Sequence, residues 1–364
     1  MTHPLLDLAP LTAGHFAAIE RRVAALLATE QDVVIMQGEA LLPLEGCIRG
    51  AAHPGSTALN VVTGPYGQTF GNWLRDCGAE VVDLEVPFHA AVTAEQIDRA
   101  LTEHPEIDFV SLVHAEAATG NTNPVSEIGE VVRRHGALFM LDAVASVAAE
   151  PLLVDAWGVD LCVIGAQKAM GGPAGVSAVS VSARAWERIA ANAKAPRHSY
   201  LSLLDWKQRW IDGGRKALPH APAQLEMLAL EACVERIDSE GLDAVTARHA
   251  SAAAATRAGA LALGGVAPYV HAAADAAPVA TTLRAPEGVD ASELVAKALA
   301  ADPSLPLIAG GGTLASTMIR VNHYGVDATR GVVQSSLAAL GAVLGEYGIA
   351  VDLEGARKAV SETW

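Results

Sequence analysis

Aromatic residues are scarce in this chain: Phe, Trp and Tyr together make up 4% of its 364 residues. Cysteine is scarcer still. Cys47, Cys77, Cys162 and Cys233 are separated by 30, 85 and 71 positions. No pair has the spacing of a zinc knuckle or a redox motif, and each lies in an apolar stretch, so buried reduced thiols are expected. Basic residues are outnumbered, 25 Lys and Arg against 41 Asp and Glu for a net charge of −16, and no basic run appears. That balance argues against nucleic acid and anionic membrane as partners. The longest apolar stretch, around 258–270, is too short to span a bilayer and is bracketed by Arg257 and Asp275. Residues 1–10 have neither a basic segment nor a long apolar core, so no signal peptide is expected. The histidines, His3 through His323, are scattered without metal-binding intervals.

What the chain does have is apolar bulk. Hydrophobic types account for 51% of it, which excludes disorder and leaves enough length for two domains. A cytoplasmic enzyme with a small-molecule substrate is the class this composition favours.

Short Val-rich runs at 33–36, 58–63, 80–86, 108–114, 138–142, 161–165 and 176–181 read as strands buried on both faces, as in a parallel sheet. Helical segments alternate with them. Thr93 and Gln96 have capping-box spacing. Pro124 opens a helix running to Arg134 that Gly136 ends, and another runs from near Pro222 to Glu240 with Gly241 as its stop. The alternation implies an α/β, doubly wound, mostly parallel sheet in a large domain, 1–243. Beyond it, an Ala-rich helix at 244–263, strands at 279–284 and 318–322, and helices at 291–301 and 328–347 read as a small C-terminal α+β domain, 244–364.

Two residues stand out in this frame. Asp142 ends one apolar strand, and Lys168 follows another 26 positions later, ahead of Gly171-Gly172-Pro173. Ligands of open α/β sheets bind at such strand ends. There an amine can form a Schiff base with a carbonyl cofactor, and a carboxylate can hold that cofactor's protonated ring nitrogen. Alone, Asp142 reads better as part of a surface turn and Lys168 as part of a solvated loop; the pair favours the functional reading.

Four segments carry a family resemblance: Leu138-Phe139-Met140-Leu141-Asp142-Ala143-Val144-Ala145-Ser146, Gly165-Ala166-Gln167-Lys168-Ala169, His114-Ala115-Glu116-Ala117-Ala118-Thr119-Gly120 with Pro124, and Met318-Ile319-Arg320-Val321-Asn322. The chain resembles the class V aminotransferases of the alanine–glyoxylate type, which share fold type I of the pyridoxal-phosphate enzymes. The resemblance implies Lys168 as the Schiff-base lysine and Asp142 as the partner of the pyridine nitrogen. It implies Tyr66, in Gly64-Pro65-Tyr66-Gly67, as the aromatic stacked on the ring, with Gln167 and Thr119 at the cofactor. Arg320 would clamp a substrate carboxylate, a task suited to a planar bidentate donor. A homodimer, or a dimer of dimers, is implied as well.

The chain departs from the family where the cofactor phosphate should sit. That turn reads Gln37-Gly38-Glu39-Ala40-Leu41, with an acid in place of hydroxyl and imidazole donors. A Tyr and a Thr that the family contributes from the partner subunit are missing near Ala217-Leu218-Pro219-His220. A helix N-terminus favours one anion by about 0.3–1 kcal/mol, or about 2 when partly buried. A phosphate roughly 4 Å from Glu39 would be repelled by about 4 kcal/mol per charge pair at an effective dielectric near 20. Repulsion wins, so a neutral hydroxymethyl group donating to Glu39 is expected there. The spacing of Gly38-Glu39, Leu44-Glu45 and Tyr66 resembles the pyridoxamine–pyruvate type within the family, which uses unphosphorylated pyridoxamine and pyridoxal as substrates. That type carries a second substrate arginine near 309–313, where this chain has Gly310-Gly311-Gly312.

The expected activity is therefore transfer of an amino group between pyridoxamine and a small 2-keto acid. The alternative is a pyridoxal 5'-phosphate-dependent alanine, serine or ureidoglycine–glyoxylate aminotransferase. In that case Glu39 points to solvent, and backbone amides with Arg215, Lys216 or His220 hold the phosphate. A non-catalytic vitamer-binding protein is a further rival. A cysteine desulfurase fits less well, because Gln167 rather than His precedes Lys168 and no Cys follows Cys233.

Overall fold

The structure is a computed structural model that describes Leu5 and residues 7–364. His3 and the first residues of the N-terminal stretch discussed above lie outside them. Thirteen strands are present among the described residues: β1 (Asp32–Met36), β2 (Thr57–Val62), β3 (Glu80–Glu85), β4 (Phe109–Val113), β5 (Ala115–Glu116), β6 (Asn121–Thr122), β7 (Leu138–Asp142), β8 (Leu161–Gly165), β9 (Ser177–Val181), β10 (Ala267–Pro268), β11 (Thr281–Arg284), β12 (Leu307–Ala309) and β13 (Met318–Val321).

Seven of them form one sheet in the order β1-β9-β8-β7-β4-β2-β3. β8, β7, β4, β2 and β3 run parallel. Their connections pass through helices, including Leu41–Ala51, Pro65–Asp76, Ala94–Glu103 and Val125–His135. β2, β4, β7 and β8 are buried along their whole length, which explains their mostly apolar sequences; the buried Asn60 of β2 and Ser111 of β4 are hydrogen-bonded to each other. The capping box forms as expected, with the Thr93 hydroxyl accepting from the Gln96 amide and the Gln96 side chain accepting from the Thr93 amide. Gly136 ends its helix in the left-handed conformation, φ 77°.

Two expectations are corrected. β9 is antiparallel to both neighbours, β1 and β8. Only residues 166–176 separate it from β8, with no helix between them. That is too short for a parallel crossover, so the chain must turn back at the same end of the sheet. β3 is the outer strand and is partly exposed along its length, so it is not covered on both faces. Its Asp83 is ion-paired to Arg75. The other outer strand, β1, is buried beneath helix Ala13–Leu26.

A second sheet, β10-β11-β13-β12, is antiparallel throughout. Helices Leu242–Leu263, Ala291–Ala301, Arg330–Glu346 and Leu353–Thr363 surround it. The buried apolar residues fall into one large cluster from Phe16 to Val245, a smaller one from Ala252 to Val360, and a third, Ala-rich one that joins Ala115, Ala145 and Ala169 to Ala277 and Val279. Between the sheets, β5 and β6 form a hairpin. Its tip meets the second sheet through a Thr282 hydroxyl bond to the Thr119 carbonyl, 2.7 Å, and an Ala277 amide bond to the Gly120 carbonyl, 2.8 Å.

Helix Val125–His135 packs its Gly129 against the end of the short helix Val154–Trp157. A Cβ on Gly129 would lie 2.1 Å from the Trp157 carbonyl oxygen, which the backbone cannot accommodate without moving. Gly129→Ala is expected to destabilise the protein by about 1–3 kcal/mol, the cost of overpacking, despite alanine's better helix propensity. A melting temperature equal to the parent's would contradict this packing.

Candidate functional site

The strand order sets the site. Each residue in question follows the C-terminal end of a strand of the large sheet. Across that edge they come as Glu39 after β1, Gln167 and Lys168 after β8, Asp142 at the end of β7, Glu116 after β4, and Gly64 to Tyr66 after β2. Because β9 runs backwards, its first residue joins the same edge. The Ser177 hydroxyl donates to the Gly38 carbonyl at 2.9 Å and draws the 38–40 turn toward β8.

Asp142 is buried and accepts from the Val144 amide at 2.9 Å. Burial pushes its carboxyl above the ordinary range, while Lys168 and the Val144 amide oppose that shift. Lys168 lies over the Tyr66 ring, with Nζ 5.3 Å from its centroid. Desolvation holds its ammonium below the usual lysine range, against the pull of Asp142 and Glu116. Desolvation also raises the Tyr66 phenol, and Asp142, Glu116 and Glu39 push it further in the same direction. These mutual influences bring Tyr66, Lys168, Asp142, Glu39 and Arg320 into one electrostatic neighbourhood.

Arg320 arrives from the second sheet. It pairs with Thr282 in the register of β11 and β13, and the Thr282 hydroxyl is the group that binds the Thr119 carbonyl. The hairpin is thereby tied to the strand next to the one that carries Arg320. Arg320 Nη2 donates to Asn322 Oδ1 at 3.2 Å, and its Nε is buried without a partner. Thr119 itself is fully buried and donates its hydroxyl to Asn121 at 2.6 Å.

Glu39 is exposed, but two hydrogen bonds hold its carboxylate in place. Its Oε2 accepts from the Leu41 amide at 2.8 Å, at the first residue of helix Leu41–Ala51, and its Oε1 accepts from Gln167 Nε2 at 2.7 Å. A negative charge thus already occupies the positive end of that helix. Two of the three groups named for the alternative are engaged within the chain, whereas Lys216 is exposed. Arg215 is paired with the buried carboxylate of Glu20. His220 accepts from Gln37 Nε2 at 3.1 Å and lies against Tyr200 and Trp206. Glu45 pairs with Arg49 on its own helix.

Of the two strand-end histidines, His323 is hydrogen-bonded to Thr281 and held down at about 4 by burial. His114 stands 3.3 Å from Glu150, while its backbone amide bonds the Asp142 carbonyl at 2.9 Å. No group of His, Cys, Asp and Glu suited to a metal occurs among the described residues. No helix there is long and apolar enough to cross a membrane.

One residue was missed as a site member. Glu116 is fully buried, and neither carboxyl oxygen has a hydrogen-bond partner. The signal available in the sequence was an acid in an Ala- and Gly-rich segment directly after an apolar strand.

Four of the nine unpartnered buried side-chain atoms among the described residues lie in this neighbourhood: both oxygens of Glu116, Oε1 of Gln167 and Nε of Arg320. Together with an aromatic face and a desolvated amine, they suit a small, flat, polar ring bearing several hydrogen-bonding groups.

Comparison with known proteins agrees with this chemistry. The family model for aminotransferase class V matches residues 8–342. A pyridoxamine–pyruvate transaminase of Mesorhizobium japonicum is 35% identical over 86% of this chain and 79% of its own length. An alanine–glyoxylate aminotransferase of Drosophila melanogaster is 30% identical, over 84% and 81% respectively. The crystal structure of pyridoxamine–pyruvate aminotransferase from Mesorhizobium loti superposes with a TM-score of 0.91 at 29% identity, covering 98% of this chain and 91% of that one.

Lys168→Ala is expected to abolish amino-group transfer while leaving the circular dichroism spectrum unchanged, since it removes a desolvated cation from a preformed site. Turnover retained in the variant would take Lys168 out of the chemistry.

Proposed function

Because the chain belongs to the class V aminotransferases, we propose that it moves an amino group between unphosphorylated pyridoxamine and a small 2-keto acid such as pyruvate. The products are pyridoxal and an L-amino acid, so the reaction consumes a vitamer and is a step of vitamin degradation. The observation that carries the choice of vitamer is the Glu39 carboxylate. It takes the amide at the N-terminus of helix Leu41–Ala51 and is clamped from the other side by Gln167. A hydroxymethyl group can donate to it, and a phosphate would be repelled. The Mesorhizobium japonicum relative named for this reaction supports the same reading.

When bound, the pyridoxal-class ring supplies the carbonyl and the electron sink for amino-group exchange. The chain supplies position and proton handling. Asp142 holds a proton on the ring nitrogen. Tyr66 gives the ring a flat face. Lys168 takes the proton from the carbon bearing the amino group and returns it on the other side, as a general base and then a general acid. Burial serves that role, because an amine kept below the usual lysine range is more readily neutral near pH 7. Arg320, oriented by Asn322, binds the keto acid's carboxylate. Gly310, Gly311 and Gly312 carry no side chain where a second arginine stands in the pyridoxamine–pyruvate type, so Arg320 bears that task alone. Thr119 acts through Thr282 to place Arg320.

We further propose a cytoplasmic homodimer. Leu41 and Tyr200 are exposed apolar side chains beside Glu39 and His220, where a partner subunit could cover the rim of the site. The four free cysteines suit a reducing compartment. We also propose domains 1–243 and 244–364, a division inside helix Leu242–Leu263 that the large and the smaller apolar cluster support.

Two measurements test this function. The kcat/KM for pyridoxamine should exceed that for pyridoxamine 5'-phosphate by up to about a thousandfold, the ratio to which a repulsion of roughly 4 kcal/mol corresponds, and Glu39→Ser should narrow the gap. A yellow phosphate ester retained through purification would overturn the vitamer assignment. Separately, Arg320→Lys should raise KM for pyruvate while leaving pyridoxamine affinity close to the parent's, since a point charge replaces a bidentate fork. Equal effects on both substrates would move Arg320 off the carboxylate.

A further inference from the structure

Glu116 has a surrounding that the proposed chemistry does not yet use. The carboxyl is 0% exposed, and both oxygens lack partners. It is wedged against Gly64, where a Cβ would fall 2.3 Å from the carboxyl carbon and 2.6 and 2.7 Å from its oxygens. Only glycine at position 64 leaves room for it. The amides of Tyr66 and Gly67 approach the carboxyl without completing a hydrogen bond. The charged and titratable groups that face it are Asp142, Lys168, the Tyr66 phenol and Arg320. Apart from the Tyr66 and Gly67 amides, which favour its charged form without completing a hydrogen bond, the chain offers this carboxyl no partner, and a ligand can complete its bonding.

Its place in the strand order says which part of the ligand. Asp142 and Lys168 occupy the middle of the sheet edge, and Glu39 with Gln167 stands on the β1 side. Glu116 stands on the opposite side, after β4 and against the end of β2. A pyridoxal-class ring whose nitrogen meets Asp142 and whose carbonyl-bearing carbon meets Lys168 has two edges left. One bears the hydroxymethyl group and the other the ring hydroxyl. If the hydroxymethyl edge turns to Glu39, the ring hydroxyl turns to Glu116.

We propose that Glu116 works as a neutral carboxylic acid that donates a hydrogen bond to the ring oxygen of the pyridoxal-class ligand. The proposal rests on the orientation assigned above through Glu39. An ionised carboxylate facing an ionised ring oxygen would repel it, whereas a carboxylic acid donates and adds no charge. Neutral Glu116 also leaves Glu39 and Asp142 to balance Lys168 and Arg320, so the site is not burdened with a third anion. The environment favours the proton: desolvation, with Asp142 nearby, raises the carboxyl from 4.5 to about 8.

A raised acid makes a definite stability signature. Between about 4.5 and about 8 the folded chain holds a proton that the unfolded chain has released. The contribution of Glu116 is therefore fully present below the lower value and is lost as pH rises through the upper one. In Glu116→Gln that loss is absent. The melting temperature of the ligand-free variant should match the parent's near pH 5 and exceed it progressively toward pH 9. A difference that does not change with pH would place the proton elsewhere and overturn the proposal.

Binding supplies the second test, with no turnover required. Pyridoxamine and its analogue lacking the ring hydroxyl are titrated calorimetrically into the parent, Glu116→Gln and Glu116→Ala. The parent should prefer pyridoxamine by about tenfold to a hundredfold, the range of one buried hydrogen bond. Glu116→Gln should keep most of that preference, because its amide still donates, and Glu116→Ala should lose it. An alanine variant that discriminates as the parent does would refute the contact. Pyridoxamine 5'-phosphate carries the same ring hydroxyl. Repeating the titration with it and its 3-deoxy analogue tests Glu116 even if the vitamer assignment through Glu39 fails.

Discussion

Removing the Lys168 ammonium from water is the constraint on which the site is built. A desolvated amine loses part of its charge preference, and the carboxylates of Asp142 and Glu116 restore some of it. The converse holds for Asp142, whose carboxyl is raised by burial and steadied by Lys168 and the Val144 amide. Neither group could be buried alone without neutralising. Together they persist in a low-dielectric setting, where small movements of protons carry large energetic consequences. That is the condition amino-group transfer needs: one amine that is readily neutral, and one acid that stays available to a ring nitrogen.

The remaining geometry serves to keep that pair dry and complete. The reversed strand β9 returns Ser177 to the active edge of the sheet and pins the 38–40 turn beside β8. The β5–β6 hairpin links the two sheets through Thr119, Gly120, Ala277 and Thr282, and so is tied to the strand next to the one that carries Arg320. A site shared between two sheets in this way is sensitive to their docking. Thr119 therefore matters although its hydroxyl is spent on Asn121.

Much of this was legible in the residues. The seven strands of the large sheet all lie in the Val-rich runs, most plainly β7 and β8, whose covered faces leave little polar alternation; outer β3 alternates and is partly exposed. Asp142 and Lys168 were visible because a charged residue at the end of such a run is anomalous. Helices Leu41–Ala51 and Pro65–Asp76 were harder to see. Their interiors carry Pro43, Gly46, Gly50, Gly67 and Gly71, so propensity speaks against them and packing holds them. The direction of β9 was misread because burial produces the same apolar run in either orientation. Only the length of the preceding loop distinguishes them.

Composition and pattern by themselves determined an acidic, apolar α/β chain, the strands of its large sheet, and a lysine and an aspartate at two strand ends. The family resemblance added that the turn expected to receive a phosphate carries Glu39. Tertiary structure alone decided what Glu39 does there, because its two partners are the Leu41 amide and Gln167, 128 positions away. It alone made Glu116 a member of the site and brought Arg320 to it. The physical reason is common to all three. A side chain's charge state and partners depend on what surrounds it in space, and in this fold the surroundings come from strands that lie far apart in the sequence.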